Sequence, residues 1–235
     1  IAGRRLILGV ERLDYSKGVP ERLRAYAQML RENPEMADEV MMIQIAVPSR
    51  VEVEEYRELK NEVDRLAGDI NSEFGRPGRQ ALHYQFRGVP PHVLRALYRL
   101  ADVCLVTPLR DGLNLVAKEF VASRENDDGV LVLSENTGAA WELGEALRVN
   151  AFDDEDMVRA LRRALDMPHG EQKRRRAAMR QRVATKNVHV WANELFEAIR
   201  SAEPLAPPPV LHDEQRSALR KKWQSAERRV VFLDY

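Results

Sequence analysis

Four short stretches of the chain combine charged and small residues at spacings suited to binding an anion or a sugar. The first is Glu11-Arg12-Leu13-Asp14-Tyr15-Ser16-Lys17-Gly18. Arg12 offers a planar fork of donors and Lys17 a compact charge, a pair that suits phosphate. A helix that begins around Pro20 would add the positive end of its dipole. The same residues also suit a solvated loop in which Asp14 pairs with a nearby base. The second stretch, Ala46-Val47-Pro48-Ser49-Arg50, leaves Arg50 either as a further anion ligand or as a partner for Glu52, Glu54 and Glu55 just beyond it.

The third stretch, Thr107-Pro108-Leu109-Arg110-Asp111-Gly112-Leu113-Asn114-Leu115-Val116-Ala117-Lys118-Glu119, says most. Gly112 would let backbone come close to a ligand. The N–H groups around Asn114, Leu115 and Val116 would be free at a helix start, where phosphates bind. Asp111 could accept from sugar hydroxyls, and Glu119 could hold a ribose diol. Against that, Asp111 suits a turn and Glu119 an ion pair within its own helix. The fourth stretch, Ser134-Glu135-Asn136-Thr137-Gly138-Ala139-Ala140-Trp141-Glu142, suits a packing turn or a close approach to a neighbouring loop. No G-x-G-x-x-G and no Walker loop accompanies them, so the usual dinucleotide and nucleoside-triphosphate signatures are missing.

Each of these stretches follows an apolar run, which defines the elements that must position it. Strands are expected at 6–10, 41–46, 82–86, 103–106, 130–133 and 146–150. Leu23, Ala27 and Leu30 mark a helix after Pro20. Tyr56, Leu59, Val63, Leu66 and Ile70 mark a long one that stops near Gly75-Arg76-Pro77-Gly78, and Leu94, Leu97, Tyr98 and Ala101 mark another. Further helices are expected at 115–123, 155–167, 171–185 and 190–201. Strands that alternate with helices and are apolar on both faces imply a parallel sheet covered on both sides. The expectation is a Rossmann-like α/β domain over 1–201. Beyond it, 202–228 reads as a stiff proline-rich linker plus a short charged helix at about 212–224. Residues 229–235 read as the opening strand of another domain.

Composition narrows the alternatives. Lys+Arg and Asp+Glu are each 37, so no net charge recruits nucleic acid or an anionic membrane. The basic run Lys173-Arg174-Arg175-Arg176 with Arg180 and Arg182 is read as a solvated helix face. No apolar run reaches the ~18 residues that span a bilayer. Residues 1–5 do not read as a signal peptide. Cys104 is alone and the five histidines are scattered without ligand spacing, so no metal site is expected. A reducing cytoplasmic setting follows from the same pattern.

The first, second and third stretches, with Val130-Leu131-Val132-Leu133-Ser134-Glu135, together resemble the trehalose-6-phosphate synthases, collinearly over about residues 1–200. That resemblance implies a GT-B fold, of which this chain supplies the C-terminal, donor-binding Rossmann-like domain. It implies transfer of glucose from UDP-glucose to glucose 6-phosphate with retention and no metal, giving trehalose 6-phosphate and UDP. Arg12 and Lys17 match the pair that binds the UDP diphosphate and stabilises the leaving group, and Asp111 the carboxylate that holds hydroxyls of the donor glucose. Gly112, Leu113, Asn114, Leu115 and Val116 match the donor loop, and Glu119 the ribose-binding acid. Arg50 matches an arginine on the acceptor phosphate. Val89 falls where backbone meets uracil, in a stretch that departs from the common sequence. Front-face attack, in which the leaving phosphate takes the acceptor proton, requires no enzymic nucleophile, and no nucleophile–base pair stands out here.

Two further expectations follow from the resemblance. The partner GT-B domain, which carries most acceptor contacts, is missing from the chain, so the chain alone should bind nucleotide weakly and transfer little or nothing. Val230-Val231-Phe232-Leu233-Asp234-Tyr235 resembles the opening strand of a haloacid-dehalogenase-type phosphatase, with Asp234 in the nucleophile's place, which implies a parent with both activities. Sister glycosyltransferases such as glucosylglycerol-phosphate synthases share the donor loops, and a homo-oligomer is compatible with everything above. A non-catalytic sugar-phosphate-sensing subunit would be expected to alter Arg12, Lys17 or Asp111, and all three are intact.

Overall fold

A computed structural model describes residues 3–124, 128–202 and 212–226. The described strands are β1 (Arg5–Arg12), β2 (Val40–Val47), β3 (Leu82–Gln85), β4 (Val103–Val106), β5 (Val130–Ser134) and β6 (Leu147–Val149). The described helices are α1 (Val19–Glu32), α2 (Met36–Glu39), α3 (Glu54–Phe74), α4 (Pro91–Leu100), α5 (Leu115–Ser123), α6 (Ala139–Glu142), α7 (Asp154–Leu165), α8 (His169–Thr185), α9 (Val188–Ser201) and α10 (Asp213–Ser225). The expected phosphatase-like strand with Asp234 and the proline-rich segment lie outside the described residues.

All strand pairs are parallel and the order is β3-β2-β1-β4-β5-β6. Alternate residues of each central strand enter opposite cores. Ile7, Val103, Leu105, Val130 and Val132 pack on one face with Leu23 of α1, Val63 of α3 and Met157 of α7. Leu6, Leu8, Cys104, Val106, Leu131 and Leu133 pack on the other with Tyr98 of α4, Phe120 of α5 and Met179 of α8. That is the period-2 geometry of a strand buried on both sides, and it makes the expected covered parallel sheet.

β1 runs two residues past the apolar stretch, through Glu11 and Arg12. The extension is held by an eight-residue register with β2, from Arg5 opposite Val40 to Arg12 opposite Val47. Glu11 can lie in a buried strand because it is neutralised there, as described below.

The basic run on α8 departs from the solvated face expected of it. Arg176 is 1% exposed and donates to the Val121 carbonyl at 2.8 Å, closing the C-terminal end of α5. Arg182 holds Glu145 and the Glu142 carbonyl, each at 2.8 Å, and Arg175 donates to the Glu145 carbonyl at 2.9 Å. These side chains serve as anchors because unpaired carbonyls at helix and loop ends need donors. Lys173 and Arg174 remain exposed.

The chain divides into two compact units, Ile1–Val188 and His189–Tyr235. Within the second, α9 leaves Trp191, Phe196 and Ile199 more than half exposed. α10 opens with Asp213 and Glu214, which suit the positive end of its dipole, and with Gln215 accepting from the His212 N–H at 3.0 Å.

Candidate functional site

The order of strands reverses between β1 and β4, so the loops leaving these two strands part and open a crevice at the carboxyl edge of the sheet. The first and third sequence stretches are those two loops. They are laced together by the Leu109 N–H, which donates to the Ser16 carbonyl at 2.8 Å. Lys17 sits on a single 3-10 turn, Tyr15–Lys17, capped by Asp14, whose Oδ1 accepts from Ser16 N at 2.9 Å and Ser16 Oγ at 2.7 Å. These bonds hold the Asp14 carboxyl below its ordinary pKa although burial pushes the other way. Gly18, at φ +64°, then swings the chain into α1, and a Cβ there would lie 2.6 Å from the Thr107 carbonyl oxygen. Only glycine serves both needs.

Lys17 and Asp111 meet across the crevice, with Nζ 2.8 Å from Oδ2 and both side chains largely buried. The same carboxylate accepts from Asn114 Nδ2 at 2.8 Å and from the Gly112 N–H at 2.9 Å. Burial pushes the Asp111 pKa up, but the bonds from Lys17 and Asn114 outweigh it and hold the group below its ordinary value. Asp111 is therefore the turn residue and the charged group at once.

Asn114 adopts the left-handed region at φ +39°, and its Oδ1 caps α5 by accepting from the Ala117 N–H at 3.1 Å. The N–H groups of Leu115 and Val116 find no acceptor among the described residues. Here the helix start presents the unsatisfied donors that an anion would need. Gly112 has open space where a Cβ would stand, and Leu113 and Leu115 are more than half exposed, so this lip of the crevice is unfilled. Glu119 is exposed and pairs with no cation among the described residues; its Oε2 accepts from the Tyr98 hydroxyl at 3.0 Å. Burial keeps Tyr98 protonated, so it is the donor of that bond.

Arg12 is exposed at the end of β1, and among the described residues no hydrogen bond or ion pair holds its guanidinium. Arg50, at φ +45°, does not pair with the glutamates that follow it. Its Nη1 reaches the Tyr56 hydroxyl at 3.1 Å, while Glu54 is taken by Arg57. Val89 lies between β3 and α4, half-buried against the same core as Val47.

Two groups escaped sequence reasoning. Arg22, 1% exposed, lies beneath the crevice and joins its parts: Nη2 binds Glu11 Oε2 at 2.9 Å, Nη1 binds Gln44 Oε1 at 3.1 Å, and Nε binds Thr107 Oγ1 at 3.0 Å. Nη2 also reaches the Lys17 carbonyl at 3.4 Å. A Cβ on Gly9 would come within 2.3 Å of Gln44 Oε1, so the glycine makes room for this cluster. Its signal was a charge on the buried stripe of α1 beside Leu23 and Tyr26. Tyr56 is the other; its hydroxyl donates to Asp14 Oδ2 at 2.8 Å, so that Asp14 is held by Tyr56 and Ser16 rather than by the base expected of it. The fourth stretch turns out to be a close approach: Asp111 N donates to the Asn136 carbonyl at 3.1 Å, and a Cβ on Gly138 would stand 3.0 Å from the Gly112 carbonyl.

The described residues contain no group of three or more His, Cys, Asp or Glu placed to hold a metal ion, and no helix among them is long and apolar enough to cross a membrane. The site is thus built of two cations, one carboxylate bound to one of them, and a helix start. Such a set can neutralise a diphosphate and grip a hydroxylated ring beside it.

Comparison with known proteins gives the family and the fold. The model of glycosyltransferase family 20 matches residues 1–201. Trehalose-6-phosphate synthase of Mycobacterium leprae is 45% identical over 199 residues, which are 85% of this chain and 40% of that protein. The structure of an α,α-trehalose-phosphate synthase (UDP-forming) from Burkholderia xenovorans in complex with glucose-6-phosphate is 40% identical with a TM-score of 0.83, covering 85% of this chain and 44% of that one. An E. coli structure bound with UDP-2-fluoro glucose is 39% identical with a TM-score of 0.83, covering 86% and 45%. The chain therefore spans about two fifths of the length of the curated relative it matches.

Proposed function

The chain belongs to glycosyltransferase family 20 and carries a Rossmann-like domain of the GT-B type, and from that premise we propose that it forms the UDP-glucose site of a retaining trehalose-6-phosphate synthase. The observation that carries the proposal is the meeting of Lys17, Asp111 and the start of α5 at the switch point of the sheet.

In this reading the diphosphate lies over the start of α5, where the N–H groups of Leu115 and Val116 and the charges of Arg12 and Lys17 neutralise it. Expulsion of UDP builds negative charge on the β-phosphate, and fixed donors in a sheltered crevice stabilise that charge without having to reorganise. A metal is then not required for the same purpose. Asp111 turns from Lys17 to the hydroxyls of the donor glucose, Gly112 and Leu113 line the sugar, and Glu119 takes the ribose. Val89 offers backbone to the uracil, and Arg50 takes the phosphate of glucose 6-phosphate.

Segment 1–201 would then be the donor domain, with acceptor contacts completed by a second GT-B domain and a phosphatase domain following in the parent. A cytoplasmic setting suits the lone Cys104, a free and buried cysteine whose thiol burial pushes up to about 12. Assay of the protein that carries this chain, with UDP-glucose and glucose 6-phosphate, should give trehalose 6-phosphate and lose it in Lys17→Ala. A different glucoside from the same donor would overturn the acceptor while leaving the donor site standing.

A further inference from the structure

Tyr56 lies on the first turn of α3, yet its hydroxyl is tied to two of the loops at the crevice. It is 5% exposed. The hydroxyl donates to Asp14 Oδ2 at 2.8 Å and accepts from Arg50 Nη1 at 3.1 Å. The direction of both bonds is forced, because a carboxylate has no proton to give and a guanidinium has no lone pair to offer. The Arg50 guanidinium also lies 5.7 Å from the centre of the Tyr56 ring, and Tyr15 meets that ring edge-on at 5.8 Å. Arg50 itself holds a backbone angle of φ +45° that few non-glycine residues adopt. Asp14 completes the chain of contacts, since its other oxygen caps the turn bearing Lys17.

We propose that Tyr56 is a positioning residue that holds Arg50 and the turn bearing Lys17 in one hydrogen-bonded unit, so that the acceptor phosphate meets a guanidinium already aimed. The proposal rests on the reading of Arg50 as the acceptor-phosphate ligand. A free arginine side chain would lose rotamer freedom on binding, and a tethered one has lost it already. Tyr56 occupies one N–H of Arg50 and leaves the others to a ligand. The donor side depends on Tyr56 less, because Asp14 keeps both of its bonds to Ser16 when the tyrosine hydroxyl is removed.

The test is calorimetric titration of the protein that carries this chain, with both GT-B domains in place, with glucose 6-phosphate and, separately, with UDP, using Tyr56→Phe and Arg50→Ala. Tyr56→Phe keeps the ring and its packing but removes both hydrogen bonds. It should weaken glucose 6-phosphate about 3- to 10-fold and change UDP by less than about 2-fold. In NMR spectra the Arg50 Nε–H signal should show restricted motion in the unaltered chain and free averaging in Tyr56→Phe. Loss of glucose 6-phosphate binding in Arg50→Ala with none in Tyr56→Phe overturns the positioning role and spares the reading of Arg50. Equal weakening of both ligands with a lowered melting temperature also overturns it, since Tyr56 would then be supporting the fold alone. If Arg50→Ala binds glucose 6-phosphate like the unaltered protein, or the unaltered protein binds none, the reading of Arg50 fails and the proposal falls with it.

Discussion

The Lys17 ammonium and the Asp111 carboxylate, which resemblance assigns to the diphosphate and the glucose of one ligand, bind each other across the switch point at 2.8 Å. In the proposed reading, a diphosphate would draw Lys17 away from Asp111, and that same movement would free the carboxylate for sugar hydroxyls. The diphosphate and the sugar of the proposed donor would thereby be recognised through one exchange of partners.

This exchange predicts an asymmetry between two variants. Lys17→Ala should weaken UDP about 10- to 100-fold, the cost of one charge-assisted contact. Asp111→Asn should leave UDP as tight as before or tighter, because Lys17 has lost its competing partner. The same variant should remove most of the added affinity of UDP-glucose over UDP. Calorimetry with both ligands checks this, and a loss of UDP binding in Asp111→Asn as large as in Lys17→Ala would rule out the exchange.

Acid stability should report the same carboxylate. Asp111 and Asp14 are both held below their ordinary pKa in the folded chain. A depressed folded pKa contributes stability that is complete above the unfolded value, about 3.9 for aspartate, and is lost as pH falls through the folded value. The stability gap between the unaltered chain and Asp111→Asn should therefore be constant above about pH 5 and narrow as the pH falls below the unfolded value. Melting temperatures across that range measure it. A gap that instead widened on acidification would give the shift the wrong sign.

Arg22 should matter to folding more than any surface arginine. Arg22→Met leaves Glu11 charged and buried without its partner, which costs about 3–5 kcal/mol. Replacing Glu11 and Arg22 together by Met should cost much less than the sum of the single changes. Urea denaturation gives all three values, and additivity would show that the two side chains do not act as a pair.

Two glycines in the crevice should behave oppositely. Gly18→Ala forces a side chain into a left-handed backbone and against the Thr107 carbonyl, and should cost about 1–3 kcal/mol of stability. Gly112→Ala meets nothing within 4 Å and should leave stability within about 0.5 kcal/mol while weakening UDP-glucose. If Gly112→Ala bound UDP-glucose normally, the open space beside Gly112 would not be the sugar's.

Much of this was legible in advance where the information was local. The apolar runs marked all six described strands, and the helix expected at 115–123 is α5 as found. The four-residue helices α2 and α6 were not anticipated, since one turn is too short to display a period. Side-chain partners were legible least. Nothing local links Tyr56 to Asp14, or Arg22 to Thr107, across 42 and 85 residues of chain. Those pairs exist because the strand order brings β1, β2 and β4 together at one edge. The α8 arginines were read as solvated for the same reason: their acceptors, carbonyls near 121 and 142–145, are distant in sequence.

The central claim is that Arg12, Lys17 and the start of α5 hold a nucleotide sugar without help from a metal. Titration of the chain with UDP-glucose in EDTA, alongside Arg12→Ala and Lys17→Ala, tests it most directly. Binding should survive EDTA within about 2-fold, and each variant should weaken it about 10-fold or more, as loss of a charged contact to phosphate requires. Binding that vanished in EDTA, or that persisted undiminished in both variants, would contradict the account.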